Sequence, residues 1–414
     1  METIKPHVFS NGLPAVYIHS PNTRVLTAVL LVGAGSRFET NETKGISRFY
    51  ANICFQGTQE YPEKDQLWET IDQLGLIIKP TVYSEYSLYY FSAVKEKFLS
   101  SFDLFLKILF QPSLTEQGLV SEKQLTNSEI QITSKSPQFL GLNKLTLDIF
   151  NNTSMGFDIL GSAQGINNIT RETLEDFKNK YYVSQNCLLV IVGPGLSLPD
   201  LEKSISIIPN GQRQTLPSFD FSQTKIIQDK VSQLSKISYL TFGSLCFGRS
   251  SDKRIIQSLL VNILIEGRKN KRLKTLREKK LVGAVRPWIK IFSDCGLFLI
   301  QASCGSNKEK EVLEKMQTQF RNMSSGSITQ EELDIAKSYY QNRLLTRLDN
   351  NLELGLFYAL GYFFNLVEQT PEQVIEKVKS VSLEEINETS QSIFRPEGLS
   401  WIVVGQGVLK KVKS

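Results

Sequence analysis

Residues 24–32 form a near-continuous apolar run, closed by Gly33-Ala34-Gly35. A run of that length bounded by turn residues reads as a buried strand. Residues 76–82 and 87–94 are rich in aromatic and β-branched side chains, and Tyr83-Ser84-Glu85-Tyr86 between them predicts a hairpin. Apolar positions recur at helical spacing over 66–74, 96–110, 116–132 and 170–181. Thr170 stands before the last of these as an N-cap, with Thr173 where a capping box usually has Glu or Gln. The second half follows the same grammar. It predicts a strand over 237–246, a helix from Asp252, a hairpin across 285–303, and helices over 308–320, 329–348 and 383–393.

The similarity of the halves is also literal. Ile169-Thr170-Arg171-Glu172 leads into Leu189-Val190-Ile191-Val192-Gly193, and Val381-Ser382-Leu383-Glu384 leads into Trp401-Ile402-Val403-Val404-Gly405. In each copy the first residue precedes the strand-ending glycine by 24 positions, and the copies lie 212 apart. Two structural repeats of about half the chain follow. Residues 209–222, with Gly211, Pro217 and several Ser, Gln and Asn, carry no apolar period and read as a linker. The division expected is a first domain over 1–210, a linker over 211–224 and a second domain over 225–414. The fold class is α+β, each repeat combining strands with helices that cover a sheet face.

Composition agrees with this division. A chain of 414 residues, 41% apolar and 21% charged, is long enough for two cores. Cys54, Cys187, Cys246, Cys295 and Cys304 sit singly in apolar segments, so free reduced thiols are expected rather than a disulfide framework. A net charge of +5 without interleaved aromatics gives no nucleic-acid signature. No basic-then-apolar leader and no run of membrane-spanning length is present, so the expectation is a cytoplasmic protein without membrane insertion, unless an organellar presequence has been removed.

The residues that bear on chemistry lie in Gly45-Ile46-Ser47-Arg48-Phe49-Tyr50-Ala51-Asn52-Ile53-Cys54-Phe55-Gln56-Gly57-Thr58. Ile46, Phe49, Tyr50 and Ile53 form an i, i+3, i+4, i+7 stripe for core packing, which leaves Arg48, Ala51 and Asn52 together on another face. The segment, with Gly35-Ser36-Arg37-Phe38-Glu39 before it, resembles the inverted zinc motif (H-x-x-E-H) of the M16 metallopeptidases, the class that includes the mitochondrial processing peptidase. Ile159-Leu160-Gly161 and Ile166-Asn167-Asn168-Ile169-Thr170-Arg171-Glu172 resemble later segments of the same family. The resemblance implies two homologous domains, each a mostly antiparallel sheet covered by helices.

It also places Arg48 and Asn52 where the family has zinc-binding histidines, and Ala51 where it has the general-base glutamate. Two histidines at i, i+4 can share a zinc ion, and the glutamate activates the metal-bound water. A guanidinium has no lone pair to give, a carboxamide is a poor ligand and alanine cannot take a proton. The chain's two histidines, His7 and His19, are not in ligand spacing and are expected on a strand edge or in solvent. Glu129, 77 positions after Asn52, matches the family's third zinc ligand, and Glu122 the second acidic residue of that helix. Glu129 is therefore expected to approach Arg48. Either an ion pair replaces the metal as the tie between two helices, or both side chains are simply solvated.

In the second half, Leu276-Arg277-Glu278 resembles a segment whose arginine touches substrate backbone, so Arg277 is a candidate substrate-binding residue. The tyrosine that accompanies it falls on Gly283 or Ala284 and is missing. The basic stretch Arg268, Lys269, Lys271, Arg272, Lys274, Arg277, Lys279 and Lys280 is either a substrate-handling surface or a solvated helix and loop. The resemblance thus implies no catalytic residue, no bound metal and no cofactor. It suggests a non-catalytic subunit that closes a peptide-enclosing chamber with an active M16 peptidase or with a second copy of itself. The alternatives are a structural or binding protein resembling respiratory core subunits, and a zinc endopeptidase with an unconventional site.

Overall fold

The computed structural model describes residues 3–265, 272–366 and 370–406. Its strands form two sheets. The first orders Thr3–Val8 (β1), Pro14–His19 (β2), Val25–Val32 (β3), Lys79–Val82 (β4), Ser87–Val94 (β5) and Cys187–Gly193 (β6) as β1-β2-β6-β3-β5-β4. The second orders Gln228–Ser232 (β7), Ile237–Phe247 (β8), Ala284–Ile291 (β9), Cys295–Gly305 (β10) and Ser400–Gly405 (β11) as β7-β11-β8-β10-β9. Each sheet is antiparallel except for one parallel pair, β2 with β6 and β7 with β11. The hairpin expected around Tyr83–Tyr86 forms, with Val82 facing Ser87 across β4 and β5.

The repeat read from sequence has a direct structural counterpart. Thr170 caps the Arg171–Tyr181 helix by exchanging hydrogen bonds with Thr173, and Ser382 caps the Leu383–Ile393 helix in the same way with Glu385. The strands that follow them, β6 and β11, end on Gly193 and Gly405. A threonine hydroxyl therefore does the work of the usual capping-box carboxylate.

Both faces of β3 and β6 are buried, which is why their sequences run apolar without alternation. Leu26, Ala28, Leu30 and Val32 join Leu189 and Ile191 in a core shared with Phe49, Phe102 and Phe105. On the opposite face Val29, Leu31, Val190 and Val192 are equally inaccessible. That face is covered by a helix from late in the chain, Asn351–Phe363, packed on β3 and β6. The second sheet shows the reciprocal arrangement, with the early Pro137–Ile149 helix packed on β8 and β11.

The two compact units are accordingly not contiguous. One comprises 1–131, 157–219 and 347–363, the other 132–156, 220–346 and 364–414. Two helical segments thus cross the expected division into 1–210 and 225–414, because each sheet is covered by a helix of the other repeat. Residues 209–219 carry no regular element, as expected of a linker, but they are tied down within the first unit. Ser184 N donates to Pro209 O, Gln185 N to Gly211 O and Arg37 Nη2 to Pro217 O. All five cysteines are free, and only Cys246 is not fully buried. Among the described residues no helix is long and apolar enough to cross a membrane.

Candidate functional site

The Ile46–Ile53 helix is built from its apolar stripe outward. Ile46, Phe49, Tyr50 and Ile53 are buried, and the Tyr50 hydroxyl donates to Leu109 O at 3.0 Å. Its start is held by Glu39, whose carboxylate accepts from Gly45 N at 2.7 Å and Ser47 N at 3.0 Å. Negative charge is favoured at a helix N-terminus. Burial nevertheless outweighs those two donors and pushes the Glu39 carboxyl up to about 7. Gly45 takes a left-handed φ of 96°, and a Cβ there would meet Ile166 and Gly161, so the segments 159–161 and 166–172 brace the start of this helix.

The polar face meets the Glu116–Ser134 helix. Arg48 Nη2 donates to both oxygens of Glu129, at 3.0 and 2.9 Å. Asn52 Nδ2 donates to Glu122 Oε1 at 3.1 Å, Gln56 Nε2 to Glu122 Oε2 at 3.3 Å and Thr126 Oγ1 to Glu122 Oε1 at 3.2 Å. Glu122 is buried, and its carboxyl is raised above the ordinary value by desolvation, against the pull of Asn52, Gln56, Thr126 and the Arg48 charge. The four motif-derived polar positions, Arg48, Asn52, Glu122 and Glu129, are thus brought together.

Of the two readings left open for Arg48 and Glu129, the side chains do pair, but in partly solvated form, and two further features, Ala51 and Gln56, were not expected. The Arg48–Glu129 pair is a surface pair, with side chains 26% and 47% exposed. Ala51, expected on the polar face, is fully buried and belongs to the core. Gln56 joins the network although its position in the motif gave no reason to single it out. A second missed element is the fully buried ion pair of Arg37 with Glu85 at 2.6 Å. Arg37 lay in a motif stretch and Glu85 in a predicted turn, and only the fold brings them into contact.

The donor set does not fit a zinc ion. Both oxygens of Glu129 are engaged by a guanidinium, which cannot ligate, and Asn52 presents its amide nitrogen to Glu122. Arg48 Nη1 is shielded from solvent without a partner. Among the described residues no three His, Cys, Asp or Glu side chains group as metal ligands. His7 and His19 lie on β1 and β2, where Tyr17 Oη meets His19 Nδ1 at 3.2 Å.

Arg277 belongs to the second unit, exposed on the short Lys274–Glu278 helix. It lines a depression of about 340 Å³ with Ile265, Lys274, Glu278 and Val285. Within the basic stretch Arg272 is bound to Glu332 at 2.7 Å and Lys274 to Glu278 at 2.8 Å. Lys279 and Lys280 are exposed. Arg268, Lys269 and Lys271 lie outside the described residues.

Comparison with known proteins agrees with this architecture. Residues 15–163 match the family model described as insulinase (peptidase family M16), and residues 168–340 match the peptidase M16 inactive domain. Together the two matches account for most of the chain, which belongs to the M16 family. An uncharacterized zinc protease of Bacillus subtilis is 24% identical over 94% of this chain and 96% of its own length. The probable mitochondrial-processing peptidase subunit beta of Arabidopsis thaliana is 27% identical over 44% of this chain and 34% of its own. Among solved structures, an M16 inactive-domain protein from Pseudomonas fluorescens superposes with a TM-score of 0.90 at 19% identity, covering 99% of both chains. A chain of Complex III from Candida albicans superposes with a TM-score of 0.80 at 16% identity, covering 98% of this chain and 96% of that one. The fold is that of a two-domain M16 protein.

Proposed function

We propose that this chain is a catalytically inactive M16 homologue that serves as partner subunit to an active zinc peptidase, enclosing peptides without supplying a catalytic group. The observation that carries the proposal is the contact of Arg48 with both oxygens of Glu129. At two positions that match zinc ligands of the family, the side chains are spent on each other, and Ala51 offers no base. Loss of a single catalytic element costs an enzyme orders of magnitude, and here the means of making the nucleophile is missing. The name of the Arabidopsis relative supports a subunit role, since that protein is named as one subunit of a processing peptidase. A purely structural role is the second reading, favoured by the fold likeness to a Complex III chain. Independent zinc peptidase activity, which the name of the Bacillus relative would suggest, is opposed by the donor set.

Elemental analysis of the purified protein should give zinc far below one ion per chain, with no chelator-sensitive peptide cleavage. Near-unit zinc together with chelator-sensitive turnover overturns the proposal. Mixed with an M16 protein of the same source that carries an intact H-x-x-E-H motif, the chain should co-elute and raise peptide turnover. If light scattering finds it unchanged beside every such candidate, the structural role takes precedence.

A further inference from the structure

The two repeats differ most tellingly at one edge of the second sheet. Trp401 on β11 lies in register with Gln228 on β7. The matching residue 212 positions earlier is Leu189 on β6, in register with Ala15 on β2. Leu189 and Ala15 are sealed in the first unit's core, at 0% and 2% exposure. In the second unit the corresponding place opens into a depression of about 210 Å³, lined by Gln228, Gln317, Phe320, Arg321, Leu399 and Trp401.

Its chemistry is divided. Phe320 and Leu399 are buried and, with the Trp401 ring, give it an apolar floor, while Gln228 and Arg321 are exposed at its rim. Gln317, Phe320 and Arg321 project from one face of the Glu309–Ser324 helix. The Arg321 guanidinium donates to Thr318 Oγ1 at 3.2 Å and meets no carboxylate among the described residues.

We propose that this depression binds an α-carboxylate adjoining an apolar side chain, as presented by the C-terminal residue of a peptide or by a free amino acid. Arg321 takes the carboxylate, because guanidinium and carboxylate match in charge and in planar geometry. Phe320, Leu399 and the Trp401 ring receive the apolar side chain. The Gln228 and Gln317 amides serve the remaining polar atoms. The volume lies below the roughly 300–1,000 Å³ of sites for drug-sized molecules, which limits the ligand to one residue-sized group. The assignment stands on the second unit alone and does not depend on the pairing with an active peptidase.

The chain has three tryptophans, Trp68, Trp288 and Trp401, so protein labelled with 5-fluorotryptophan gives three ¹⁹F resonances, and Trp401→Phe assigns the relevant one. Titration with the dipeptide Ala-Leu should move the Trp401 resonance saturably, and Ala-leucinamide, lacking the carboxylate, should not. Arg321→Gln changes an exposed side chain and should weaken binding by at least about tenfold. Free leucine acting as well as Ala-Leu makes the source an amino acid, whereas a response to Ala-Leu alone makes it a peptide end. No movement with either carboxylate, equal movement with the amide, or undiminished binding in the Arg321→Gln protein overturns the assignment.

Discussion

Arg48 is held to Glu129 through a single nitrogen, Nη2, and the exposure of the two side chains decides what that contact contributes. A fully buried pair would leave an uncompensated charge when one partner is removed, at a cost of about 3–5 kcal/mol. With Glu129 nearly half exposed, solvent screens the pair, and such pairs contribute about 0.2–1 kcal/mol. Denaturant unfolding of Arg48→Met, Glu129→Leu and the double variant should therefore give a coupling energy of about 1 kcal/mol or less. A coupling of several kcal/mol would show the pair acting as a buried tie in place of a metal, and zero coupling would mean that the contact is not kept in solution. The stronger constraint at this face is Glu122, which is buried and receives side-chain hydrogen bonds from Asn52, Gln56 and Thr126. The family resemblance brought Glu129 toward Arg48 in the sequence reading, because both match zinc-ligand positions and residues 122 and 129 share a helix face. It could not show which of the two carboxylates lies deeper, since burial depends on the neighbouring helix.

At the scale of elements, the helices that cross between repeats were the least legible part of the chain. Asn351–Phe363 reads Asn-Leu-Glu-Leu-Gly-Leu-Phe-Tyr-Ala-Leu-Gly-Tyr-Phe, apolar on nearly every side, so it offers no amphipathic stripe to mark it. β1 was equally obscure, because Pro6 interrupts it, as is tolerated on an edge strand. By contrast β3, the hairpin of β4 and β5, and the capped helices were readable, since turn residues or caps bound them. Both crossing helices approach their sheets through a glycine. A Cβ on Gly355 would lie 3.0 Å from Val29 Cγ2 and 3.3 Å from Val192 Cγ2, and one on Gly141 would lie 3.1 Å from Val404 Cγ2 and 3.2 Å from Thr241 Oγ1. Val29 and Thr241 are 212 residues apart, as are Val192 and Val404, so the two contacts are repeats of each other. Gly361, on the same helix as Gly355, has open space around its Cα. Gly361→Ala should stabilise the protein by up to about 1 kcal/mol through helix propensity. Gly355→Leu should destabilise it by about 1–3 kcal/mol or more through overpacking. Urea denaturation checks both signs, and a neutral Gly355→Leu would mean that the helix does not sit closely on β3 and β6.

For the whole molecule, the exchange of helices makes each repeat incomplete by itself. Residues 1–210 contain all six strands of the first sheet but not Asn351–Phe363, which covers Val29, Leu31, Val190 and Val192. Residues 225–414 contain the second sheet but not Pro137–Ile149, which packs against Thr241, Gly243 and Val404. The face left bare in 1–210 is apolar, that in 225–414 mixes Val404 and Leu299 with Thr241 and Gln301, and exposing the apolar part forfeits about 25 cal/mol for every Å² returned to water. That loss is large beside the net stability of about 5–15 kcal/mol typical of a domain. Expressed singly, 1–210 and 225–414 should therefore be insoluble, or partly folded with strong binding of hydrophobic dyes. Co-expressed, they should recover as a soluble complex whose circular dichroism matches the intact chain, because the crossing helices can be supplied in trans. Cutting the chain within 211–224 after folding should for the same reason leave the two pieces associated on gel filtration. Independent, cooperative folding of either piece would show that its sheet can be closed without the other repeat's helix, and the exchange would then be an accessory to stability rather than a condition of it.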